Sequence, residues 1–275
     1  MTARGNHSGL EGLLLQVNAA RGFRCDAYKE SCLRRRIAVR MRACGVHTFE
    51  QYAERLQEDV TEYDRLLETL TINVTKFYRN ADTWDRLATA VLPDLLARRG
   101  GRVRCWSAGC SSGEEAYTLA TLLLEAKRNG DPAHELDGCI DATDFDLGSL
   151  EKAEGGRYQQ EAFDEMPDVL TARYFSREQD HPGALSVAES VRRLVRFARH
   201  NVTKDPPPRP PYDLILFRNV VIYFDRPTQE RIFAQMADAL TPGGVFILGK
   251  VETLFGQARE VLELEDVRER VYRKA

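Results

Sequence analysis

From Val103 onward, short apolar runs alternate with stretches of helical period, and this alternation constrains the fold more than any other feature of the chain. The runs are VRCWSA, LDGCIDATD, YDLILFRN and GGVFILGK. The helical patterns EEAYTLATLLLEAKR, DLGSLEKAEG and TQERIFAQMADAL stand between or after some of them. Near-continuous apolar runs belong to strands covered on both faces, and parallel strands need crossovers long enough to hold a helix. The expected architecture is an α/β, doubly wound, Rossmann-like parallel sheet. The stretch from Tyr174 to Phe197 fits neither period, and KDPPPRPPYD reads as a rigid surface loop entering the strand that begins at Tyr212.

The chain ahead of that pattern is helical. Apolar residues recur at three- and four-residue steps in LEGLLLQVNAA, SCLRRRIAVRMRACG and TFEQYAERLQEDVTEYDRLLETLT, from Leu10 to about Trp84. Gly45 follows Cys44 where a helix C-cap belongs, and Thr48 stands as the N-cap of the next helix. A further helix is expected over Asp82 to Arg98. The spacing therefore predicts a small all-helical domain over residues 1–84, with its boundary near Asp82 to Ala90, and a larger domain over 85–275. A length of 275 residues, 43% of them apolar and 29% charged, suits one large and one small core.

The net charge of −3 argues against a general nucleic-acid binder, since recognition of a phosphate backbone rests on a basic excess. No apolar run approaches the roughly 18 to 20 residues that span a bilayer, and MTARGNHSG holds no signal-peptide core, so a cytosolic protein without membrane insertion is expected. Cys25, Cys32, Cys44, Cys105, Cys110 and Cys139 form no C-x-x-C pair and have no histidine at zinc-finger spacing. They read as reduced thiols without a metal.

Chemistry concentrates where strands turn into helices. In WSAGCSSGEEAYTLA, Gly109 and Gly113 allow a ligand close to the backbone. The third glycine of the dinucleotide fingerprint is absent, and Glu114 and Glu115 occupy the helix start where a pyrophosphate would sit. Two carboxylates repel that anion. A ligand carrying an amine and a sulfonium suits Glu115, which favours S-adenosylmethionine over a nicotinamide cofactor; equally, both glutamates could merely cap the helix dipole. In ATDFD, Asp144 stands where Rossmann-type folds contact ribose hydroxyls, while Asp146 reads as the N-cap of the helix that follows. In LILFRNVVIYF, Arg218 and Asn219 directly follow a buried-strand pattern, with Tyr223 close behind.

These segments together resemble a known family. WSAGCSSGEEAYTLA, ATDFD, FRNVVIYFD followed by TQERIF, and the earlier TLTINVTKFYRN are similar, in the same order, to the motifs of CheR methyltransferases, and the similarity runs from about Phe23 to the terminal VYRKA. The resemblance implies a Rossmann-like S-adenosylmethionine methyltransferase domain behind a small N-terminal all-helical domain, with a small β-subdomain insertion at about 174–197. It implies cofactor contacts at Asn73, Thr75, Arg79, Gly109, Glu115, Asp144, Asn201, Val202, Arg218 and Asn219, and a strand through FARHNV that ends beside the adenine. By its residues alone TINVTKFYRN is a polar linker, because Thr71, Ile72, Val74 and Thr75 make a poor helix interior. The resemblance instead makes it a cover over the cofactor, with Arg79 and Tyr223 near the transferred methyl.

The implied reaction is methyl transfer from S-adenosylmethionine to glutamate side chains of a bacterial chemoreceptor, with S-adenosylhomocysteine as the second product. A glutamate is already ionised at neutral pH, so no general base is required; Arg79 is expected to orient the substrate carboxylate and Tyr223 to shape the pocket. Arg34, Arg35, Arg36, Arg40 and Arg42 lie on one predicted helix, with Arg36 and Arg40 one turn apart. That helix would steer the acidic helical methylation region of the receptor, or else be a solvated face with Ile37, Val39 and Met41 partly buried. Two departures concern the partner. Members of the family commonly carry G-H-S-E where this chain has Gly249, Lys250, Val251 and Glu252, and FSREQDHPGALSVAESVRRLVRF lacks the glycine-rich loop of members that dock a receptor's C-terminal pentapeptide. An enzyme independent of that pentapeptide is expected. The competing readings are a same-fold methyltransferase acting on another substrate and a non-catalytic module that senses S-adenosylmethionine or scaffolds a signalling array.

Overall fold

The computed structural model describes residues 5–71, 74–129, 139–178 and 182–275. The chain divides into two compact units, Met1–Ile72 with Tyr223–Thr228, and Asn73–Ile222 with Gln229–Ala275.

The first unit is built from α1 (Gly5–Arg21), α2 (Glu30–Ala43), α3 (Phe49–Glu58) and α4 (Thr61–Leu70). Thr48 and Gln51 form a reciprocal capping box at the start of α3, and Gly45 takes φ +70 just past the end of α2, as the sequence suggested at both positions. Leu33, Ile37 and Met41 of α2 are buried, as are Tyr52 and Leu56 of α3 and Leu66 and Leu70 of α4. Between α2 and α4 lies a buried carboxylate: Glu62, 1% exposed, accepts hydrogen bonds from Arg40 at 2.9 and 2.8 Å and from the Tyr52 hydroxyl at 2.9 Å. The short segment after Ile222 joins this unit through the Lys29 N–H, which donates to the Tyr223 carbonyl at 2.9 Å, and through an antiparallel bridge between Tyr28 and Phe224.

The second unit begins before the boundary expected near Trp84. Helix α5 (Ala81–Arg86) runs through a single π-turn at Leu87–Val91 into α6 (Leu92–Arg98), and Trp84, Leu87 and Leu95 enter the core of this unit. Then follow β1 (Arg104–Ala108), α7 (Glu114–Asn129), β2 (Cys139–Asp144), α8 (Leu147–Gly155), β3 (Arg157–Gln159), α9 (Asp168–Tyr174), β4 (Phe175–Arg177), β5 (Ala184–Val187), α10 (Glu189–Arg192), β6 (Val195–Arg199), β7 (Tyr212–Phe217), α11 (Arg226–Ala239), β8 (Leu240–Leu248), α12 (Ala258–Val261), β9 (Leu262–Asp266) and β10 (Val271–Lys274). The main sheet has the order β6-β2-β1-β7-β8-β10-β9.

Its first five strands are parallel, but β10 is antiparallel to both neighbours, so the sheet is mixed. The reason is economy of connection: β9 and β10 are joined by the four residues Val267 to Arg270, enough for an antiparallel turn and far short of a crossover helix. The central strand β7 is buried at all six residues. A separate three-stranded antiparallel sheet, β3-β5-β4, starts at Arg157, earlier than the insertion expected from Tyr174, whereas Val195–Arg199 belongs to the main sheet. Among the described residues no helix is long and apolar enough to cross a membrane.

Candidate functional site

Strand order reverses at β1, with β2 and β6 on one side and β7 and β8 on the other. In open α/β sheets the crevice at such a point, at the carboxyl ends of the strands, is where ligands bind. The turn after β1 is shaped for close approach. Gly109 has φ +76, and a Cβ there would stand 2.5 Å from Cγ2 of Val220 in the turn after β7. Its N–H and that of Cys110 donate to the Thr143 carbonyl of β2 at 2.7 and 3.0 Å, tying the first two turns together.

The two glutamates that open α7 take different parts. Glu114 is buried and accepts from the Ser112 hydroxyl at 3.0 and 2.9 Å, a local cap on its own helix start. Glu115 points into the edge of the sheet: Ser107 Oγ donates to it at 2.8 Å and Arg218 at 3.2 Å. Burial pushes its carboxyl above the ordinary value, against the pull of Arg218, the Ser107 hydroxyl and the charge of Arg79. A ligand cation placed beside Glu115 would favour its ionised form.

Asp144 ends β2 and accepts from the N–H of Ser111 at 2.8 Å on one oxygen and from that of Asp146 at 3.0 Å on the other. Burial raises it too, chiefly opposed by those N–H groups. The N–H of Phe145 also favours its ionised form, so of the four acceptor sites of the carboxylate one stays open to a ribose hydroxyl. Asp146 caps α8 as expected, accepting from Gly148 N–H at 3.2 Å. Beyond β6, the Asn201 Oδ1 accepts from the Thr203 N–H at 3.0 Å and hydroxyl at 2.7 Å, so this side chain shapes its own turn, with Val202 half-buried beside it.

Arg218 is held mainly by protein. Its side chain is 2% exposed; it pairs with Glu115, donates to the Arg79 carbonyl at 2.9 Å and to Asn80 Oδ1 at 3.2 Å, and lies 5.2 Å from the Trp84 ring centroid. It thus straps the Arg79–Asn80 turn to the start of α7, where a direct cofactor contact was expected. Asn219, at φ +62, begins the next turn; its N–H and that of Gly249 donate to Glu252.

The segment before α5 is ordered by aromatic packing. The Phe77 ring stacks on Phe163 at 4.4 Å and meets Tyr158 and Phe175 edge-on, and Tyr78 and Asn80 take φ +59 and +65. Thr75 is half-buried; Arg79 donates to the Val74 carbonyl at 2.8 Å. Asn73 lies outside the described residues. Hence Thr75, Arg79, Gly109, Glu115, Asp144, Asn201, Val202, Arg218 and Asn219 all belong to one unit. Tyr223, in a 3-10 turn at Val221–Tyr223, falls in the other by its contacts.

The arginines of α2 separate. Arg40 is spent on Glu62, Arg36 donates to the Thr69 carbonyl at the end of α4, and Arg34 pairs with Glu30 at 2.6 Å. Arg36 and Arg40 therefore face α4 and leave Arg35 and Arg42 exposed, on a stripe with Ser31 and Val39, which is 44% exposed. Sequence reasoning also passed over Ser107, Ser111, Asn80, Trp84 and Val220. Four of them lie inside the quoted segments but carry side chains with no chemistry to single them out, Trp84 reads as an ordinary core residue, and only adjacency to Gly109, Arg79 and Arg218 could have marked them. Ser111 Oγ and Arg218 Nε are buried here without a hydrogen-bond partner, polar capacity at a crevice that suits a polar ligand. The residues thus fit S-adenosylmethionine: an anion for its cationic end, a carboxylate acceptor for its ribose, and a glycine turn between.

Comparison with known proteins agrees. Residues 8–71 match the model of the CheR methyltransferase all-alpha domain, and residues 73–271 that of the CheR methyltransferase SAM binding domain. A probable chemotaxis protein methyltransferase of Rhizobium etli is 34% identical over 247 residues, 88% of this chain and 91% of that one. Chemotaxis protein methyltransferases of Listeria innocua and Escherichia coli are 33% and 32% identical, covering 86% and 82% of this chain and 87% and 77% of theirs. From its two matched domains and these relatives, the chain belongs to the CheR family of S-adenosylmethionine-dependent chemotaxis methyltransferases.

Proposed function

We propose that the protein methylates glutamate side chains in the acidic cytoplasmic helices of a chemoreceptor, acting from the cytosol, to give glutamate methyl esters. The observation that carries this reading is the likeness to chemotaxis protein methyltransferases over most of the chain, supported by Glu115, a largely buried carboxylate held by Ser107 and Arg218 at the switch point of the sheet. S-adenosylmethionine, when bound, would supply the methyl group that passes from its sulfonium to a substrate carboxylate oxygen, with S-adenosylhomocysteine as the second product; Glu115 and Asp144 would hold it.

The chain's own task is positioning and exclusion of water, because nucleophile and leaving group need no proton transfer. Glu115 draws the cationic end of the cofactor, Asp144 the ribose hydroxyls, and Gly109 lets the backbone come close. Arg79, tethered by the Val74 carbonyl, keeps donors with which to hold one oxygen of the substrate carboxylate and leave the other to attack. Tyr223 adds a neutral donor. On α2, Arg35 and Arg42 steer the acidic helix.

Receptor-bearing membranes incubated with tritiated S-adenosylmethionine should take up label that mild base releases as methanol. Base-stable label would mean a different acceptor, and no label would mean a binding module. Arg79→Ala should lose methyl transfer while keeping cofactor binding; full transfer in that variant would refute its role.

A further inference from the structure

The turn Gly249–Glu252, where this chain reads G-K-V-E, lies at the carboxyl end of β8. Glu252 is 2% exposed, yet it has no cationic partner among the described residues. Its Oε2 accepts the Asn219 N–H at 2.9 Å and the Gly249 N–H at 2.7 Å, and the N–H groups of Ile222 and Val221 also favour its ionised form, while Oε1 has no hydrogen-bond partner. The carboxylate thus sits inside a collar of main-chain N–H groups from the turns after β7 and β8. Nothing larger than hydrogen fits at Gly249: a Cβ would stand 2.8 Å from Glu252 Oε2 and 2.9 Å from the Asn219 nitrogen.

What the collar holds is the part of the site least able to hold itself. Asn219 is in the left-handed region, Arg218 ahead of it straps Glu115 to the Arg79 turn, and Val220 behind it covers Gly109. A buried carboxylate is costly unless the groups around it are fixed to meet it, so one that persists without a cation indicates that its surroundings are pre-organised. On the other side of the same turn Lys250 pairs with Asp82 at 2.9 Å and Glu269 at 3.2 Å, which anchors the turn to the first turn of α5.

We infer that Glu252 is a positioning residue for methyl transfer: through the N–H groups of Asn219 and Gly249 it sets the Arg218–Val220 turn, and through that turn the cofactor crevice formed by Gly109 and Glu115. The inference rests on the reading of the crevice as the cofactor site. Glu252 touches neither cofactor nor substrate; it acts through the main chain.

The test compares wild type with Glu252→Gln, which keeps the size and one acceptor, and with Glu252→Ala, using Val251→Ala, at a side chain 76% exposed, as the control. S-adenosylhomocysteine affinity is measured by calorimetry, kcat and receptor KM by methyl incorporation, and ligand-free Tm alongside. Weakening a hydrogen bond to a charged group is expected to lower S-adenosylhomocysteine affinity about tenfold in Glu252→Gln, and further in Glu252→Ala. Receptor KM and the ligand-free Tm of Glu252→Gln should stay near wild type, with kcat reduced. A lowered Tm with wild-type affinity and kcat would make Glu252 only structural and overturn the inference, as would wild-type values throughout. If Glu252→Ala does not fold, Glu252→Gln decides. Wild type that binds S-adenosylhomocysteine but leaves receptors unlabelled would refute the proposed substrate, and the affinity of Glu252→Gln would still decide the role of Glu252.

Discussion

Replacing Arg218 by Met should be far more damaging than replacing both Arg218 and Glu115 by neutral side chains. Arg218 is 2% exposed and Glu115 14%, and their 3.2 Å pair is joined by donations to the Arg79 carbonyl and Asn80 Oδ1. Glu115 is raised by burial in spite of Arg218, so the attraction does not recover the cost of taking the carboxylate out of water. Arg218→Met leaves that carboxylate with the Ser107 hydroxyl and the more distant charge of Arg79. Removing one partner of a buried pair typically costs about 3–5 kcal/mol. At about 2–4 °C per kcal/mol for a unit of this size, the ligand-free Tm should fall by at least about 6 °C. Adding Glu115→Gln removes the stranded charge and keeps a group that can accept from Ser107, so the double variant should recover to within about 1–2 kcal/mol of wild type. Urea unfolding of wild type, both single variants and the double variant closes the cycle. Additive losses, or an Arg218→Met variant as stable as wild type, would refute the reasoning.

Three further outcomes follow from the same geometry. Glu114, Glu115, Asp144 and Glu252 are all raised, chiefly by burial; the stability they contribute is present below the ordinary carboxylate values of 4.5 and 3.8 and is lost as pH rises through their raised values. Glu62 is opposed most strongly by burial yet lowered overall by the combined hydrogen bonds from Arg40, Tyr52 and Cys44 and the charge of Arg40, so it acts with the opposite sign. Its contribution is present above 4.5 and is lost as pH falls through its lowered value, so Glu62→Gln should remove part of the acid loss seen in a Tm-against-pH profile, and an unchanged acid limb would contradict this. Gly109→Ala, at φ +76 and 2.5 Å from Val220 Cγ2, should weaken S-adenosylhomocysteine binding at least about tenfold, with partial recovery in Gly109→Ala/Val220→Ala; no recovery would mean that the side-chain clash is not the cause. Arg35→Glu/Arg42→Glu should lower receptor methylation about tenfold at low salt, less at high salt, with S-adenosylhomocysteine affinity unchanged; an equal loss at all salt concentrations would refute steering.

The parallel heart of the sheet was legible because β1, β2, β7 and β8 are written as apolar runs between helical patterns. Its edges were not. Val195–Arg199 carries arginines at its second and last positions and has only one neighbouring strand, so its pattern lacks the apolar run of a covered strand; the family resemblance, not the period, pointed to it. Leu262–Asp266 reads LELED, and its antiparallel pairing with β10 rests on a turn too short to announce a crossover. Glycine and acid positions in the crevice were visible because few residue types suit a left-handed turn or a cationic ligand. The basic helix was visible as composition only, since Glu62, 22 residues after Arg40, decides which arginines remain at the surface.

The features gathered at the crevice are those in which local preference and tertiary structure conflict. Tyr78, Asn80, Ser111 and Asn219 hold left-handed backbone conformations, and Glu115, Asp144 and Glu252 are carboxylates raised by burial. All seven lie along the carboxyl edge of one sheet or on the turn that Arg218 straps to it. Strained backbone and buried charge each oppose folding, so a protein keeps them together only where the surrounding structure over-determines them. Here a fully buried central strand, the Phe77 aromatic cluster and the N–H collar around Glu252 provide that surplus. The carboxylates of this edge are held in place by the protein itself, so a cofactor bearing an amine and a sulfonium would meet aligned acceptors instead of having to reorganise them.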